Sequence, residues 1–390
     1  MDHKPMRNTY LPYGQQWIDD DDIEAVVNVL KSDYLTTGPA VSKFEQEIAN
    51  YVGAKYAVSF SNGTAALHGA CFAAGISIGD EVITTPITFA ASANCVLYLG
   101  GKPIFVDIDP KTYNINPKEI EKQITNKTKA IIPVDFTGQP VDLEEIYAIA
   151  KKYGLVVIED AAHALGAKYK GKKVGSISDM TMFSFHPVKH ITSGEGGVIT
   201  TNNKEYYEKM LQFRSHGITR DQNKMLENHG PWYYEMQFLG FNYRLTDIQA
   251  ALGTSQLKKI DKFIELRKKY AAMYNAAFAT IPQITIPYQH SEAESSWHLY
   301  IIRLNQDLLK AKRKEIVEHL LSMNIGVNVH YIPVYLLPYY QQLEFQKGLC
   351  PQAEKLYEEI ITLPLFPKMS ELDVSDVIQA VKKIVSYYSI

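Results

Sequence analysis

Between residues 56 and 201, short apolar runs alternate with stretches of helical periodicity. Several of the runs are apolar throughout, which is typical of strands buried on both faces. They predict seven strands, at 56–61, 81–85, 103–108, 130–136, 155–160, 180–186 and 197–201. The stretches between them predict helices that include 64–74, 89–99, 117–124 and 143–152. This alternation predicts an α/β fold with a mostly parallel seven-stranded sheet, which binds ligands beyond the carboxyl ends of its strands.

The two ends of the chain show other patterns. Near the start, 19–31 predicts an amphipathic helix with an acidic first turn, followed by a loop at 34–39 and a second helix from residue 41. Residues 246–277 predict one long helix or two joined helices. Beyond them, 297–303 and 326–330 predict strands, and 309–323 and 370–387 predict helices. We therefore expect a large domain over residues 1–255 and a smaller α+β domain over residues 256–390.

Composition narrows the class of protein. The 390 residues are 46% hydrophobic and 21% charged, as in ordinary globular proteins, and a net charge of -3 gives no reason to expect a nucleic-acid partner. The start of the chain lacks the apolar core of a signal peptide, and no apolar stretch is long enough to cross a membrane. The three scattered cysteines match neither a disulfide framework nor a metal site, so we expect a cytoplasmic protein without a metal.

Lys189 lies in the most informative stretch of the chain. It follows the predicted strand at 180–186 and comes just before a loop that contains Gly194, Gly196 and Gly197. Glycines allow tight turns and let the backbone approach a ligand closely. A desolvated lysine at such a place can form an imine with a carbonyl group. A solvated surface charge is the commoner role of a lysine, so this interpretation needs support from other motifs.

Asp160 provides that support. It ends the apolar run at 156–158 and is followed by Ala161, Ala162 and His163. A carboxylate at the end of a buried strand needs a cationic partner, and a protonated pyridine nitrogen is one such partner. Asp160 as a helix cap and His163 as a structural residue are the alternatives.

The segment at 61–67 has the pattern of an anion-binding loop. It joins a predicted strand to a predicted helix, where free N–H groups and the helix dipole favour negative charge. Ser61 and Thr64 add hydroxyl groups, and Ser184 at the end of a later strand could also donate to a phosphate. An ordinary helix cap is the alternative.

Taken together, these motifs resemble those of the pyridoxal-phosphate sugar aminotransferases of the DegT/DnrJ/StrS family. The resemblance rests on SNGTAAL at 61–67, TPITF at 85–89, EDAAH at 159–163, SFHPVK at 184–189 and GEGG at 194–197. FRSHG at 213–217, GFNYRL at 240–245 and LTTGP at 35–39 extend it over nearly the whole chain. It implies the fold type I architecture of aspartate aminotransferase, pyridoxal 5'-phosphate as the cofactor, and a homodimer with shared active sites.

The resemblance also implies roles for individual residues. Lys189 would bind the cofactor covalently and move protons, Asp160 would pair with the ring nitrogen, and His163 would lie beside the ring. The remaining cofactor contacts would come from Gly63, Thr64 and Ser184 at the phosphate, from Phe89 on the ring face, and from Asn242 of the neighbouring subunit. Some relatives carry histidine in place of the lysine and act as dehydratases, so Lys189 implies transamination.

Within the family, the likeness is greatest to the pseudaminic-acid type, which aminates C4 of a UDP-linked 4-keto-6-deoxy-N-acetyl sugar. Three stretches carry it, at 35–36, 184–192 and 330–335, whereas Asp33 departs from it because a basic residue is expected there. The likeness implies substrate contacts from Tyr13, Tyr34, Thr36, His330 and Tyr331. Aromatic packing at an interface is the alternative for the aromatic members of this set.

The leading hypothesis is transfer of an amino group from glutamate to such a UDP-linked keto-sugar, in surface polysaccharide or nonulosonic acid biosynthesis. Amination at C3, or at C4 of a dTDP- or GDP-linked keto-sugar, is the first alternative. A non-catalytic regulator that binds the sugar nucleotide or the cofactor is the second, although such a protein needs neither Lys189 nor Asp160.

Overall fold

Fifteen strands and thirteen α-helices build the part of the chain that the computed structural model describes, residues 5–390. Residues 1–4, at the start of the segment that lacks a signal-peptide core, lie outside this range. The strands are β1 Tyr56–Phe60, β2 Glu81–Thr84, β3 Lys102–Phe105, β4 Thr128–Ile132, β5 Val156–Asp160, β6 Lys168–Tyr169, β7 Lys172–Lys173, β8 Met180–Ser184, β9 Gly197–Thr201, β10 Ile218–Thr219, β11 Glu235–Met236, β12 Ile284–Thr285, β13 Ala293–Glu294, β14 Tyr300–Leu304 and β15 Ile360–Leu363.

The helices cover the faces of the sheet and form much of the C-terminal region. They are α1 Asp20–Leu30, α2 Pro39–Val52, α3 Gly63–Ala73, α4 Ala91–Leu97, α5 Pro117–Ile120, α6 Leu143–Tyr153, α7 Lys204–Phe213, α8 Asp247–Leu257, α9 Ile260–Phe278, α10 Arg313–Ser322, α11 Pro338–Gln342, α12 Pro351–Glu359 and α13 Glu371–Tyr388. Short 3-10 helices occur at Glu121–Gln123, Phe136–Gly138, Gln306–Leu308 and Val334–Leu336.

A seven-stranded sheet in the order β1-β9-β8-β5-β4-β2-β3 confirms the predicted mostly parallel sheet. Only β9 runs against its neighbours, β1 and β8, and the other pairs are parallel. All seven predicted strands are present. The predicted strand at 130–136 ends earlier, at Ile132, because Pro133 has no N–H to continue the ladder. The strand at 180–186 ends at Ser184.

A second, antiparallel sheet in the order β12-β14-β15 lies in the C-terminal region. Its apolar residues pack with those of α9, α10 and α13 into one core. The predicted helical segment at 246–277 is two helices, α8 and α9, which meet at Lys258 and Lys259. The division of the chain into domains near residue 255 stays our proposal.

The predicted strand at 326–330 is wrong. Only one residue pair forms there, a bridge between Asn328 and Thr362. The ladder does not extend toward Gly326, because Pro364, the residue that would lie opposite, has no N–H to donate. The N–H of Gly326 donates instead to the carbonyl of Leu11 at 2.7 Å. Over residues 5–390, none of the helices combines the length and the apolar character that a membrane crossing needs.

Candidate active site

The carboxyl ends of β1, β5 and β8 open into a cavity of about 1170 Å³. The turns after these strands form one side of it, and residues 328–331 form another. Most of the residues predicted for the site line this cavity: Tyr13, Gly63, Thr64, Phe89, Asp160, His163, Ser184, Lys189, His330 and Tyr331. The fold therefore brings together side chains that are up to several hundred residues apart in the sequence.

The start of α3 forms one wall of the cavity. Asn62 caps this helix, and its side-chain oxygen accepts a hydrogen bond from the N–H of Ala65 at 2.8 Å. The N–H groups of Gly63 and Thr64 lie in the first turn, where helical carbonyl partners are lacking, so they are suited to an anion. A Cβ atom on Gly63 would lie 3.3 Å from the Cβ of Ser184. The helix start and the end of β8 are therefore close enough to contact one small anionic group together.

Asp160 ends β5 and is buried, with 4% of its surface exposed. Its Oδ2 accepts a hydrogen bond from the Ser92 hydroxyl at 2.6 Å, and its Oδ1 accepts one from the N–H of Ala162 at 3.1 Å. Burial raises the pKa of the Asp160 carboxyl, and these hydrogen bonds and the charge of Lys189 act against that rise. A buried carboxylate held in this way can pair with a cationic ring nitrogen in the cavity.

Lys189 follows β8 after one turn, in which its backbone N–H donates to the carbonyl of His186 at 2.9 Å. Its side chain lines the cavity near Asp160. Burial lowers the pKa of the Lys189 amine to about 8, and the negative charge of Asp160 limits this fall. About a tenth of the amine is then neutral at pH 7, and the neutral form is the nucleophile.

His163 packs against other buried imidazole rings. Its Nε2 lies 3.3 Å from the Tyr331 hydroxyl, and its ring centroid lies 4.3 Å from that of His298. Among residues 5–390 its Nδ1 has no hydrogen-bond partner. Burial, followed by the charge of Lys189, holds the pKa of His163 well below its ordinary value. The imidazole is therefore a neutral flat surface that can lie against an aromatic ring.

Aromatic residues also line the cavity. His330 is buried, and its Nδ1 lies 2.9 Å from the Thr362 hydroxyl. Burial and the charge of Lys189 lower the pKa of His330 to about 3, so its ring is neutral. The Tyr13 ring lies 5.2 Å from it, centroid to centroid. Phe89 is 64% exposed, which leaves one side of its ring open to a bound group.

Three predicted site residues do not line this cavity: Tyr34, Thr36 and Asn242. All three are exposed. The backbone of Thr36 bridges to Thr246, and that of Asn242 bridges to Ser215. The contact predicted for Asn242 is with the site of a neighbouring subunit. The roles of these three residues stay predictions.

Other residues at the cavity were absent from the predicted set. Ser92 contacts Asp160, and Thr88, His68 and Asn328 line the wall. His68 lies four residues after Thr64 on α3, a helical spacing that could have indicated it. Burial lowers the pKa of His68 to about 4. No sequence pattern indicated Ser92, because its contact depends on how α4 packs against β5.

The donor set fits the predicted cofactor, pyridoxal phosphate. The start of α3 and Ser184 are suited to its phosphate, Asp160 to its ring nitrogen, and Lys189 to its aldehyde. The neutral His163 and the open side of Phe89 provide flat surfaces for the ring. Each group of the cofactor therefore has a residue of matching chemistry in this cavity.

The chain matches the model of the DegT/DnrJ/EryC1/StrS aminotransferase family over residues 16–382. Its sequence is 42% identical to the spore coat polysaccharide biosynthesis protein SpsC of Bacillus subtilis, over 97% of this chain and 98% of that protein.

Solved structures agree with this match. PseC of Helicobacter pylori, an aminotransferase involved in the biosynthesis of pseudoaminic acid, superposes with a TM-score of 0.91. It is 35% identical, and the match covers 97% of this chain and 100% of that one. Spr1654 of Streptococcus pneumoniae, a putative sugar aminotransferase solved with the cofactor in its amine form, is 32% identical, with a TM-score of 0.91 and coverage of 97% and 99%. Its form with pyridoxal phosphate has a TM-score of 0.90.

Proposed function

This chain belongs to the DegT/DnrJ/EryC1/StrS aminotransferase family, and from that premise we propose that it aminates C4 of a UDP-linked 4-keto-6-deoxy-N-acetylhexosamine with glutamate as the donor. The family and its pyridoxal-phosphate-bound structural relatives make the chain a pyridoxal-phosphate-dependent aminotransferase. One observation carries the proposal: Asp160 at the end of β5 and Lys189 just after the neighbouring strand β8 line one cavity with the start of α3.

When bound, the cofactor supplies an aldehyde that accepts an amino group and a cationic ring that delocalises negative charge. Asp160 would hold a proton on the ring nitrogen through its carboxylate. The first turn of α3 and Ser184 would fix the phosphate, and His163 would hold the ring flat. These contacts would hold the cofactor within reach of Lys189.

Lys189 would transfer the proton that transamination moves. Its Nζ has a pKa lowered to about 8, so near neutral pH it can take up a proton and release it again. The neighbouring imidazoles of His163 and His330 are held neutral by burial, so they do not add positive charge beside this amine. The pKa of Lys189 therefore lies close to neutral pH, which suits a group that carries a proton in both directions.

The aromatic residues that line the cavity support a sugar as the substrate. Tyr13, His330 and Tyr331 offer ring faces together with hydroxyl or imidazole groups, and this combination suits a ring rich in hydroxyls. The choice of a C4 keto group and a UDP carrier rests on the likeness to PseC. The likeness to SpsC supports a place in polysaccharide biosynthesis.

We also propose a homodimer with shared active sites, in the cytoplasm. The segment 226–239 presents large apolar side chains to solvent, among them Leu226 at 94%, Trp232 at 73% and Leu239 at 76% exposure. Surfaces of this kind favour burial against another chain. Asn242, three residues beyond this segment, is exposed and does not line its own chain's cavity, which supports its predicted role in the site of the other subunit.

The decisive experiment incubates the protein and pyridoxal phosphate with glutamate and a UDP-linked 4-keto-6-deoxy-N-acetyl sugar, followed by NMR identification of the product. We expect a 4-amino sugar and, in the Lys189→Ala variant, loss of the absorption band of the bound cofactor and of turnover. Keto-sugars linked to dTDP or GDP, and 3-keto isomers, are tested in parallel.

The outcomes separate the alternatives. A faster reaction with a dTDP- or GDP-linked sugar, or amination at C3, contradicts the proposed substrate and leaves the aminotransferase activity intact. Stoichiometric binding of a sugar nucleotide without amino transfer to any tested sugar supports a regulator and contradicts the proposal.

A further inference from the structure

The carboxyl group of Asp160 lies at the end of a short chain of hydroxyl groups. The Thr88 hydroxyl lies 2.7 Å from that of Ser92, and the Ser92 hydroxyl lies 2.6 Å from Asp160 Oδ2. All three side chains are buried, with Ser92 completely so. Thr88 lies on the segment that leads into α4 and Ser92 is the second residue of that helix, whereas Asp160 ends β5.

The number of protons available fixes the direction of the hydrogen bonds between these hydroxyl groups and Asp160. An ionised carboxylate only accepts hydrogen bonds, so Ser92 must donate its single hydroxyl proton to Asp160. The oxygen of Ser92 is then left as an acceptor, and Thr88 must donate to it. If Asp160 were protonated, the order could reverse, and the carbonyl of Phe89, 3.4 Å from Ser92 Oγ, could accept the serine proton. The direction of the chain is thus tied to the charge of Asp160.

We propose that Ser92, with Thr88 behind it, is a positioning residue of the cofactor site, which keeps Asp160 ionised and its carboxylate fixed at the edge of the cavity. This inference rests on the proposed pairing of Asp160 with the ring nitrogen. Hydrogen bonds to a charged group are about twice as strong as neutral ones, and each donor stabilises the ionised form.

The surroundings of Asp160 explain why such a donor matters. Burial favours the neutral carboxyl, and a neutral carboxyl cannot form an ion pair. Within the described residues, two hydrogen bonds to the carboxylate oppose this effect, from Ser92 and from the N–H of Ala162. The Ser92 bond is the shorter, and it lowers the pKa of Asp160 more than the Ala162 bond or the charge of Lys189 does.

The same segment also positions a second predicted cofactor contact. Phe89 is the residue directly after Thr88, and the N–H of Ser92 donates to the Phe89 carbonyl at 3.3 Å. The chain of hydroxyls therefore ties the residue predicted for the ring face to the residue predicted for the ring nitrogen. The Ser92 side chain contacts Asp160 only through its hydroxyl. Removal of that hydroxyl is therefore expected to affect the ring-nitrogen edge of the cofactor before the ring face.

The test measures binding of pyridoxamine phosphate, which forms no covalent bond to Lys189. In Ser92→Ala we expect the dissociation constant to rise about tenfold, because one charge-assisted hydrogen bond to Asp160 is lost. Ser92→Thr keeps the hydroxyl and should restore binding to within about threefold of wild type. Thr88→Val leaves Ser92 in place and should weaken binding about two- to fivefold, and it answers the question even if Ser92→Ala does not fold.

Two further readouts separate positioning from a merely structural role. Without the Ser92 bond the pKa of Asp160 rises further, so the pH below which binding weakens should move upward in Ser92→Ala. In an Asp160→Asn background, Ser92→Ala should change the dissociation constant less than about twofold, because the two changes share one interaction.

Three results would overturn the inference. One is a Ser92→Ala protein with lower thermal stability but unchanged cofactor binding. Another is equal weakening by Ser92→Ala in the wild-type and Asp160→Asn backgrounds, which would mean that Ser92 acts independently of Asp160. The third is unchanged binding in Asp160→Asn itself, and this result alone also removes the proposed role of Asp160.

Discussion

At the scale of single residues, burial sets the chemistry of Lys189. A solvated lysine keeps its amine protonated at neutral pH, whereas the surroundings of Lys189 lower its pKa from 10.5 to about 8. The sequence placed this lysine at a strand end beside glycines, but only the folded cavity removes it from water. Asp160 acts in the opposite direction, because its negative charge stabilises the protonated amine.

This balance predicts how the cofactor-free protein reacts with pyridoxal phosphate as pH changes. The neutral amine is the reactive form, so the rate of capture should rise with pH and reach half of its maximum near pH 8. In Asp160→Asn the stabilising charge is lost, the amine pKa falls further, and the midpoint should move to lower pH. Stopped-flow absorbance of the bound cofactor measures both profiles.

Lys189→Arg is the control for that experiment, because it keeps a cation but cannot form the bond, and it should show no capture. A wild-type midpoint near the ordinary lysine value of 10.5, or a shift to higher pH in Asp160→Asn, would contradict the assignment.

At the scale of elements, the contact between β9 and the start of α3 positions the proposed phosphate-binding site. Gly197 begins β9 opposite Phe60, the last residue of β1. A Cβ atom on Gly197 would lie 2.5 Å from the carbonyl oxygen of Asn62 and 2.8 Å from the Cα of Gly63. These are backbone atoms that cannot move aside alone, so glycine at 197 keeps the helix start where it can meet a phosphate.

Gly197→Ala should therefore displace the start of α3. We expect it to lower the free energy of unfolding by about 1–3 kcal/mol, the usual cost of overpacking, and to weaken cofactor binding. Urea unfolding of the cofactor-free protein and titration with pyridoxal phosphate measure the two effects.

Gly14→Ala is the matched control, because a Cβ atom there would lie 3.6 Å from Val188, an ordinary contact distance. It should change both quantities little. Full stability and full cofactor affinity in Gly197→Ala would contradict the role given to this close approach.

The sequence predicted secondary structure most closely at several strands that are buried on both faces. The strands β1, β5 and β8 were predicted close to their observed ends. A strand that is buried on both faces has no solvent-exposed polar positions that would interrupt its apolar run. The segment 326–330 forms one bridge, because the residue opposite Gly326 would be Pro364, which has no N–H to donate. Which residue lies opposite depends on how distant segments pair, and a local hydrophobic pattern does not record it.

At the scale of the whole molecule, the proposed shared site predicts complementation between inactive variants. Lys189→Ala and Asn242→Ala each remove a group from the site. In a mixed dimer one site would carry both changes and the other neither. After co-refolding in equal amounts, roughly a quarter of wild-type activity should return, because half of the dimers are mixed and each has one intact site.

A second mixture controls for this result. Lys189→Ala with Asp160→Asn should not recover, since both residues line the cavity of their own chain and no mixed dimer has an intact site. Activity is measured by amino transfer, and the assembly state by light scattering. Equal recovery in both mixtures, no recovery in the first, or a monomeric wild type would contradict the proposed dimer.

The sequence by itself identified the residues that we propose carry the chemistry, and the sheet that holds them. Lys189, Asp160 and the loop at 61–67 were predicted because strand ends, glycines and helix starts are local patterns that neighbouring residues encode. Only the tertiary structure decided which groups tune them. Ser92 contacts Asp160 across 68 positions of sequence, and His298 lies against His163. Such contacts, and the burial that shifts each pKa, depend on how separate elements pack together, and no local pattern in the chain records that packing.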